Sequence, residues 1–456
     1  MTKTPAADAG AGRTDVSATR SEGLLAFHPS CAPDYLPREQ LRQLQLQRLH
    51  QTVRRAYEGQ KLFRERMDAR KLGPADVRSV EDVAKLPFMV KADLRDTYPF
   101  GLFASPMEDV VRLHASSGTT GKPIVVAYPQ ADIDVWKEVM VRSFSACGVH
   151  ARDVIQNAYG YGLFTGGLGM HYGAEALGAT VIPMSGGNNE RQLMVMQDFG
   201  VTVICCTPSY FVHLIERAKE AKIDFGRLRV GVFGAEPWSP AMRDHIQTES
   251  GIRAHDIYGL SEIIGPGVGI ECHAQDGLHL FEDHFLPEIV DPATGEVLPD
   301  GQEGELVLTT LSKQAMPMIR YRTRDITAMY VEACSCGRTL RRMHRIGRRS
   351  DDMFIIRGVN VFPSQVEAAL LQVKGTLPHY QIVLSREKGL DEMEVQVEVT
   401  PEVFSDKIRA LKTLHQKLEH AVEQVLGIRA KVTLVEPRSI ARSEGKAKRV
   451  IDRRTI

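Results

Sequence analysis

Residues 115–129 read ASSGTTGKPIVVAYP, and the kind of loop they form decides the fold. Glycines and hydroxyls ahead of a lysine suggest a segment that holds phosphate. A Walker loop needs G-x-x-x-x-G-K-[ST]. With Gly121 and Lys122 at its end, the first glycine falls on Ser116 and the hydroxyl that would hold Mg2+ falls on Pro123. Both requirements fail. The stretch YGYGLFTGGLGMHYG, Tyr159 to Gly173, holds G-x-G-x-x-G in no register, so a Rossmann fingerprint fails too. What remains is Ser116, Ser117, Thr119 and Thr120, hydroxyls within five positions, with Gly118 and Gly121 freeing the backbone and Lys122 adding charge. That segment suits a polyphosphate tail wrapped between two strands. A ligand-free Ser/Thr/Gly hairpin is the bland alternative.

Outward from this loop, short branched runs alternate with helical stretches. DVIQNAY (153–159), ATVIPM (179–184), VTVICCTP (201–208) and LRVGVFGAE (228–236) read as buried strands. Residues 132–148, 189–200 and 208–221 between them read as helices. This alternation implies an α/β fold whose large N-terminal domain carries mainly parallel sheets. Beyond Asp283, GELVLTTL (304–311) and MPMIRYRTRD (316–325) read as strands of a smaller sheet. After a basic stretch at 336–353 comes a compact unit. It reads as a helix at 364–373, strands at 379–386 and 393–400, a helix at 405–427 and a strand at 431–437. The expected division is a disordered leader at 1–24, a large domain at 25–349 and a smaller α+β C-terminal domain at 350–456.

The chain has 456 residues, 57 Lys+Arg against 57 Asp+Glu, and 43% hydrophobic residues. A net charge of zero argues against nucleic-acid binding. No apolar run approaches the roughly 18 residues of a membrane span. Seven cysteines thinly spread over this length do not look like a disulfide framework and suggest reduced thiols in the cytoplasm.

With GAEP (234–237), DIYGLSE (256–262), YRTRD (321–325), RSDDMFIIRG (349–358) and EGKAKR (444–449), the loop resembles the acyl-adenylate-forming enzymes in order and spacing. Within that superfamily it is similar to the phenylacetate–CoA ligase family, over roughly residues 25 to 450. The resemblance implies an ATP-dependent aryl acid–CoA ligase acting through an acyl-AMP, with phenylacetate first among the acids and anthranilate or benzoate as rivals. An adenylating enzyme that passes AMP or the acyl group to another acceptor is the alternative. A mobile C-terminal lid and a homodimer are part of what the resemblance implies.

It also implies roles. Ser117, Gly118, Thr119, Thr120 and Lys122 would hold the ATP phosphates. Gly234, Ala235, Glu236, Asp256, Ile257, Tyr258, Gly259 and Ser261 would line the nucleotide, with Tyr258 stacked on adenine. Asp325 would accept the ribose hydroxyls, its two oxygens suiting a pair of donors, and Arg349 would approach ribose or phosphate. Glu262 would help hold Mg2+, a hard cation suited to carboxylate oxygen; the plain reading is an exposed acid at a helix start. Asp351 would be the hinge, and Lys446 the lid lysine that bridges carboxylate and α-phosphate. The family's Gly-Arg-Ser-Asp-Asp reads Arg348-Arg349-Ser350-Asp351-Asp352 here, so an arginine replaces the hinge-side glycine. Tyr159, Phe164 and Gly166 are candidates for gripping an aryl ring in a flat slot. Separately, Cys272, His279, Cys334 and Cys336 offer four ligands for a structural Zn2+, with His273, His284 and His344 as rivals.

Overall fold

A computed structural model describes residues 27–116, 123–330, 332–350, 353–356, 359–387, 390–400, 408–442 and 447–454. The leader expected over 1–24, the loop residues Ser117, Gly118, Thr119, Thr120 and Lys122, the hinge Asp351 and the lid Lys446 lie outside them.

The chain begins with helices α1 (Arg38–Gly59), α2 (Lys61–Ala69) and α3 (Lys91–Asp96). Strands β1 (Val110–Ser116) and β2 (Ile124–Pro129) pair antiparallel, with Ser116 opposite Ile124. Helix α4 (Gln130–Ala146) follows. Then strands and helices alternate as β3 (Val154–Asn157), α5 (Thr165–Leu177), β4 (Thr180–Pro183), α6 (Asn189–Asp198), β5 (Val203–Cys206), α7 (Pro208–Ala221), β6 (Val230–Gly234), α8 (Pro240–Ser250) and β7 (Arg253–Leu260). Five of these strands lie in the order β4-β3-β5-β6-β7 and pair in parallel. Helices close their crossovers, and the loops at the carboxyl ends share one edge, where such sheets bind ligands.

The sheet continues antiparallel through β8 (Gly265–Glu271), β9 (Leu278–Leu280) and β13 (Arg342–Met343). A second, antiparallel sheet comprises β10 (Phe285–Val290), β11 (Gly304–Thr310), β12 (Tyr321–Thr327) and β14 (Arg348–Arg349). The strand expected over 316–325 therefore starts only at Tyr321. Pro317 has no N–H to give a ladder, Met318 instead exchanges bonds with Thr310, and Arg320 takes φ 47°.

The C-terminal part holds β15 (Phe354–Ile356), β16 (Val359–Val361), α9 (Pro363–Leu371), β17 (Thr376–Glu387), β18 (Leu390–Val399), α10 (Ile408–Leu426), β19 (Lys431–Val435) and β20 (Val450–Asp452). Its four-stranded sheet runs β19-β18-β17-β20. Its core draws on residues from Phe354 to Val432 among those fully buried. The two other cores use residues from Leu41 to Met343. The sheet and helices of the C-terminal part thus bury their own apolar faces.

Candidate active site

Strands β6, β7 and β12 bring three motifs to one edge. Gly234 ends β6, and a Cβ there would run into the Ile257 carbonyl on β7. Gly259 is tighter still, because a Cβ would meet the Gly265 carbonyl. These glycines let the GAEP and DIYGLSE backbones approach each other. Tyr258 Oη donates to Asp325 Oδ2 at 2.5 Å, and Arg349 Nη1 donates to Asp325 Oδ1 at 2.9 Å. Asp325 and Arg349 face each other across β12 and β14. Burial and the Asp325 charge push the Tyr258 hydroxyl well above its ordinary pKa, so it remains a donor.

Glu262 stands in the turn between β7 and β8, not at a helix start, and it is buried. Its Oε1 accepts from Tyr321 Oη at 2.6 Å, while Oε2 takes no hydrogen bond among the described residues. A carboxylate oxygen left without a donor, on a side chain otherwise buried, fits a hard cation such as Mg2+. The turn itself is held from below. Lys313 Nζ donates to the Glu262 carbonyl at 2.7 Å, and Tyr128 Oη donates to the Ile264 carbonyl at 3.0 Å. Burial pushes the Lys313 ammonium down to about 8. Lys313, Tyr128 and Tyr321 escaped the sequence reading. Tyr321 stood in the quoted YRTRD motif, whereas Lys313 looked like an ordinary charge in LSKQAM.

The glycine run lies beside this turn. Thr165, at the start of α5, shares a 3.0 Å hydroxyl contact with Ser261. Ala115 donates its N–H to the Leu163 carbonyl at 2.9 Å, which ties the end of β1 to the same run. A Cβ built on Gly160 or Gly162 meets nothing within 4 Å, so space opens there. The Tyr159 ring packs against Gly166, 3.6 Å from where a Cβ would stand, and Phe164 is 52% exposed. Open space at two glycines beside aromatic side chains can take a flat ring.

Two expected nucleotide residues have other partners. The Asp256 carboxylate receives Arg345 Nε at 3.1 Å. The Glu236 carboxylate accepts the Ser209 N–H at 2.8 Å and the Ala447 N–H of the C-terminal part at 2.9 Å. Further links cross between the two parts. Ser239 N–H donates to Glu367 at 3.0 Å, and Glu216 on α7 meets His379 and Arg442. Arg348, the residue replacing the family's glycine, sits in β14, pairs with Glu303 and lies 5.2 Å over the Phe362 ring.

Cys272, His279, Cys334 and Cys336 converge, with all four ligand atoms within 4.8 Å of one another. Cys272 Sγ lies 3.7 Å from Cys334 Sγ, and Cys336 Sγ lies 3.3 Å from His279 Nε2. His279 Nδ1 is 3.1 Å from the Leu340 carbonyl, which orients Nε2 toward the thiols. The rivals stand elsewhere: His284 pairs with Ser312, His344 stacks on Tyr330 and His273 is exposed. Three sulfurs and one imidazole nitrogen are a donor set that zinc accepts.

The family model described as AMP-binding enzyme matches residues 50–316, and the AMP-binding enzyme C-terminal domain matches 358–454. The chain is 52% identical over 421 residues to the phenylacetate-coenzyme A ligase of Aromatoleum evansii, covering 91% of this chain and 95% of that one. It is 51% identical over 435 residues to the enzyme of the same name from Thermus thermophilus, covering 92% and 98%. A solved 2-hydroxyisobutyryl-CoA ligase in the postadenylation state, in complex with R3-HIB-AMP, superposes with a TM-score of 0.88 at 31% identity, over 94% of this chain and 95% of that one. The same relative in the thioesterification state, with 2-HIB-AMP and CoA, gives a TM-score of 0.68 at 32% identity, over 92% and 91%.

Proposed function

This chain belongs to the AMP-binding enzyme family and is an AMP-forming aryl acid–coenzyme A ligase; from that premise we propose phenylacetate as its acid and a role for each site residue. The acid carboxylate attacks the α-phosphorus of ATP, giving acyl-AMP and pyrophosphate. The coenzyme A thiolate then attacks the acyl carbon and releases AMP. The first step converts a poor, anionic electrophile into one with a good leaving group. The protein positions groups and offsets phosphate charge.

In this reading Asp325, held by Tyr258 and Arg349, accepts the ribose hydroxyls. Tyr258, with Gly234, Ala235, Glu236, Asp256, Ile257, Gly259 and Ser261 around it, lines the base. Glu236 and Asp256 contribute backbone there, because their carboxylates are engaged elsewhere. Ser117, Gly118, Thr119, Thr120 and Lys122 hold the phosphate tail, and Lys446 on the lid meets the α-phosphate. Glu262, oriented by Tyr321, would hold Mg2+, which when bound neutralises phosphate charge. Tyr159, Phe164 and Gly166 receive the aryl ring. The lid begins near Ser350 and turns about Asp351.

The Cys272, His279, Cys334 and Cys336 set would hold a structural Zn2+ that pins the excursion at roughly 330–340 to the large domain. A cytoplasmic homodimer belongs to the same proposal; Phe100, Met107 and Val111 are large apolar side chains that stand exposed. No described helix is long and apolar enough to cross a membrane.

The observation that carries the reading is the Asp325 carboxylate fixed between Tyr258 and Arg349 beside a buried Glu262. The test is a panel of aryl acids with ATP, Mg2+ and coenzyme A, scored by thioester mass and by AMP release with and without coenzyme A. Phenylacetyl-CoA should dominate. Steady AMP release without coenzyme A would favour the alternative, transfer to another acceptor.

A further inference from the structure

We propose that Glu216 is a positioning residue for acyl-adenylate formation: a large-domain carboxylate that holds the lid, through Arg442 and His379, in the pose that forms the adenylate. This rests on the reading above, in which Lys446 serves the first step from the lid.

Glu216 lies in the middle of α7, a helix started by Thr207, whose hydroxyl caps the Tyr210 N–H, and by Pro208. The helix turns Tyr210, Phe211, Leu214 and Ile215 into the core. Its opposite side meets the lid. His379 Nε2, on β17, is 2.7 Å from Glu216 Oε1, and Arg442 Nη2 is 3.2 Å from Glu216 Oε2. His213, one turn back on α7, is 3.5 Å away. The two closer partners of this carboxylate therefore come from the other domain. Burial raises its pKa, but the adjoining His213 and His379 rings and the nearby Arg442 charge hold it well below the usual carboxylate range.

Arg442 has two attachments. One is within the lid, where it forks onto Glu398 at 2.6 and 2.7 Å, and Glu398 also accepts the Ile440 N–H at 2.9 Å. The other is Glu216. The stem is thus fixed to its own domain and to α7 at a point four positions before Lys446. One position after Lys446, the Ala447 N–H is bound by Glu236 of the large domain at 2.9 Å. The chain is tied to the large domain on both sides of the lysine.

The overall pose matches the relative's postadenylation state better than its thioesterification state, with TM-scores of 0.88 and 0.68. Contacts made in one pose and absent from another bias the equilibrium between them by their differential free energy. Glu216 makes its contacts to the lid in this pose and touches none of the residues assigned to nucleotide or acid.

The test separates the half-reactions. Adenylation is followed by pyrophosphate exchange with phenylacetate and Mg-ATP. Thioester formation is followed by supplying phenylacetyl-AMP and coenzyme A. Glu216→Gln keeps the side-chain volume and removes the charge. It should slow adenylation roughly tenfold, the population shift that about 1.4 kcal/mol gives, and leave thioester formation from supplied adenylate unchanged or faster. Arg442→Gln, made from the lid side, should reproduce the split. Equal losses in both half-reactions, or no loss in adenylation, overturn the proposal. Lys446→Ala in parallel tests the underlying reading: if it leaves adenylation intact, that reading fails; if it abolishes adenylation while Glu216→Gln does nothing, the positioning role alone fails.

Discussion

Two clusters of ion pairs use the same chemistry for opposite ends. Around Arg142 on α4, Nε donates to Asp34 at 2.8 Å, and Nη1 and Nη2 reach Asp283 at 3.0 and 2.8 Å. Arg338 joins Asp34 at 3.0 Å and Arg48 joins Asp283. Arg142 and Asp34 are both 0% exposed. Around Glu216, by contrast, Arg442 and Glu216 remain 15% and 19% exposed, and the partners belong to different domains. Buried pairs among elements that share one core cannot part without unfolding. Pairs at a wetted boundary between two cores can part without either core unfolding. Burial and domain membership distinguish a contact that holds a fold from one that holds a pose.

The largest effect should come from Arg142→Met, which takes from two buried carboxylates the partner they share and leaves them only Arg338 and Arg48 with His284. Removing one partner of such a group costs about 3–5 kcal/mol, and chemical denaturation should show it as a lower midpoint. Glu216→Gln, measured the same way, should change stability by no more than about 1.4 kcal/mol, the size of its pose preference. If the two variants lose equal stability, the distinction between fold and pose is wrong.

Tyr321→Phe is intermediate. It leaves the buried Glu262 oxygen without its donor, worth about 1–3 kcal/mol. The KM for Mg-ATP should rise by roughly tenfold or more, on the 1.4 kcal/mol-per-decade scale, with thioester formation from supplied adenylate little changed.

Acid should act on the fold-holding cluster. Burial raises the Asp283 pKa, but His284, Arg142 and Arg48 hold it well below the ordinary range. A carboxyl depressed in the folded state contributes stability above its unfolded value near about pH 4, and that contribution is lost as pH falls through the folded value. Denaturation midpoints of the wild type should therefore fall below about pH 4, and in Arg142→Met the fall should be shallower. The smallest effect belongs to Arg348→Gly, which restores the family's glycine. It removes a surface pair with Glu303 and should cost under about 1 kcal/mol, read as a small shift in denaturation midpoint.

GAEP, DIYGLSE and YRTRD were legible because each lies on or at the end of a strand, where backbone and chemistry constrain the residue together. The parallel strands were legible because runs such as VTVICC are buried on both faces. The antiparallel half was less so: β9, β13 and β14 are two or three residues long, too short for an alternation to register. Arg142 sits in EVMVRSFSA, where one arginine on an apolar helix gives no hint of partners more than 100 positions away. Glu216 sits in HLIERAKEA, where a polar helix face ordinarily meets water. Its partners come from another domain, and helical periodicity says nothing about those. The bland alternative for Glu262, an exposed acid at a helix start, fails because Tyr321 and Lys313 surround it, which sequence alone does not place.

The central claim is that this protein activates an aryl carboxylate as its adenylate before any thiol is involved. A rapid-quench experiment with enzyme, phenylacetate and Mg-ATP, without coenzyme A, tests it most directly. Enzyme-bound phenylacetyl-AMP should accumulate to about one per site, then convert to thioester and AMP when coenzyme A is added. Absence of the adenylate in the quench, with thioester still formed when all substrates are mixed, would contradict the account.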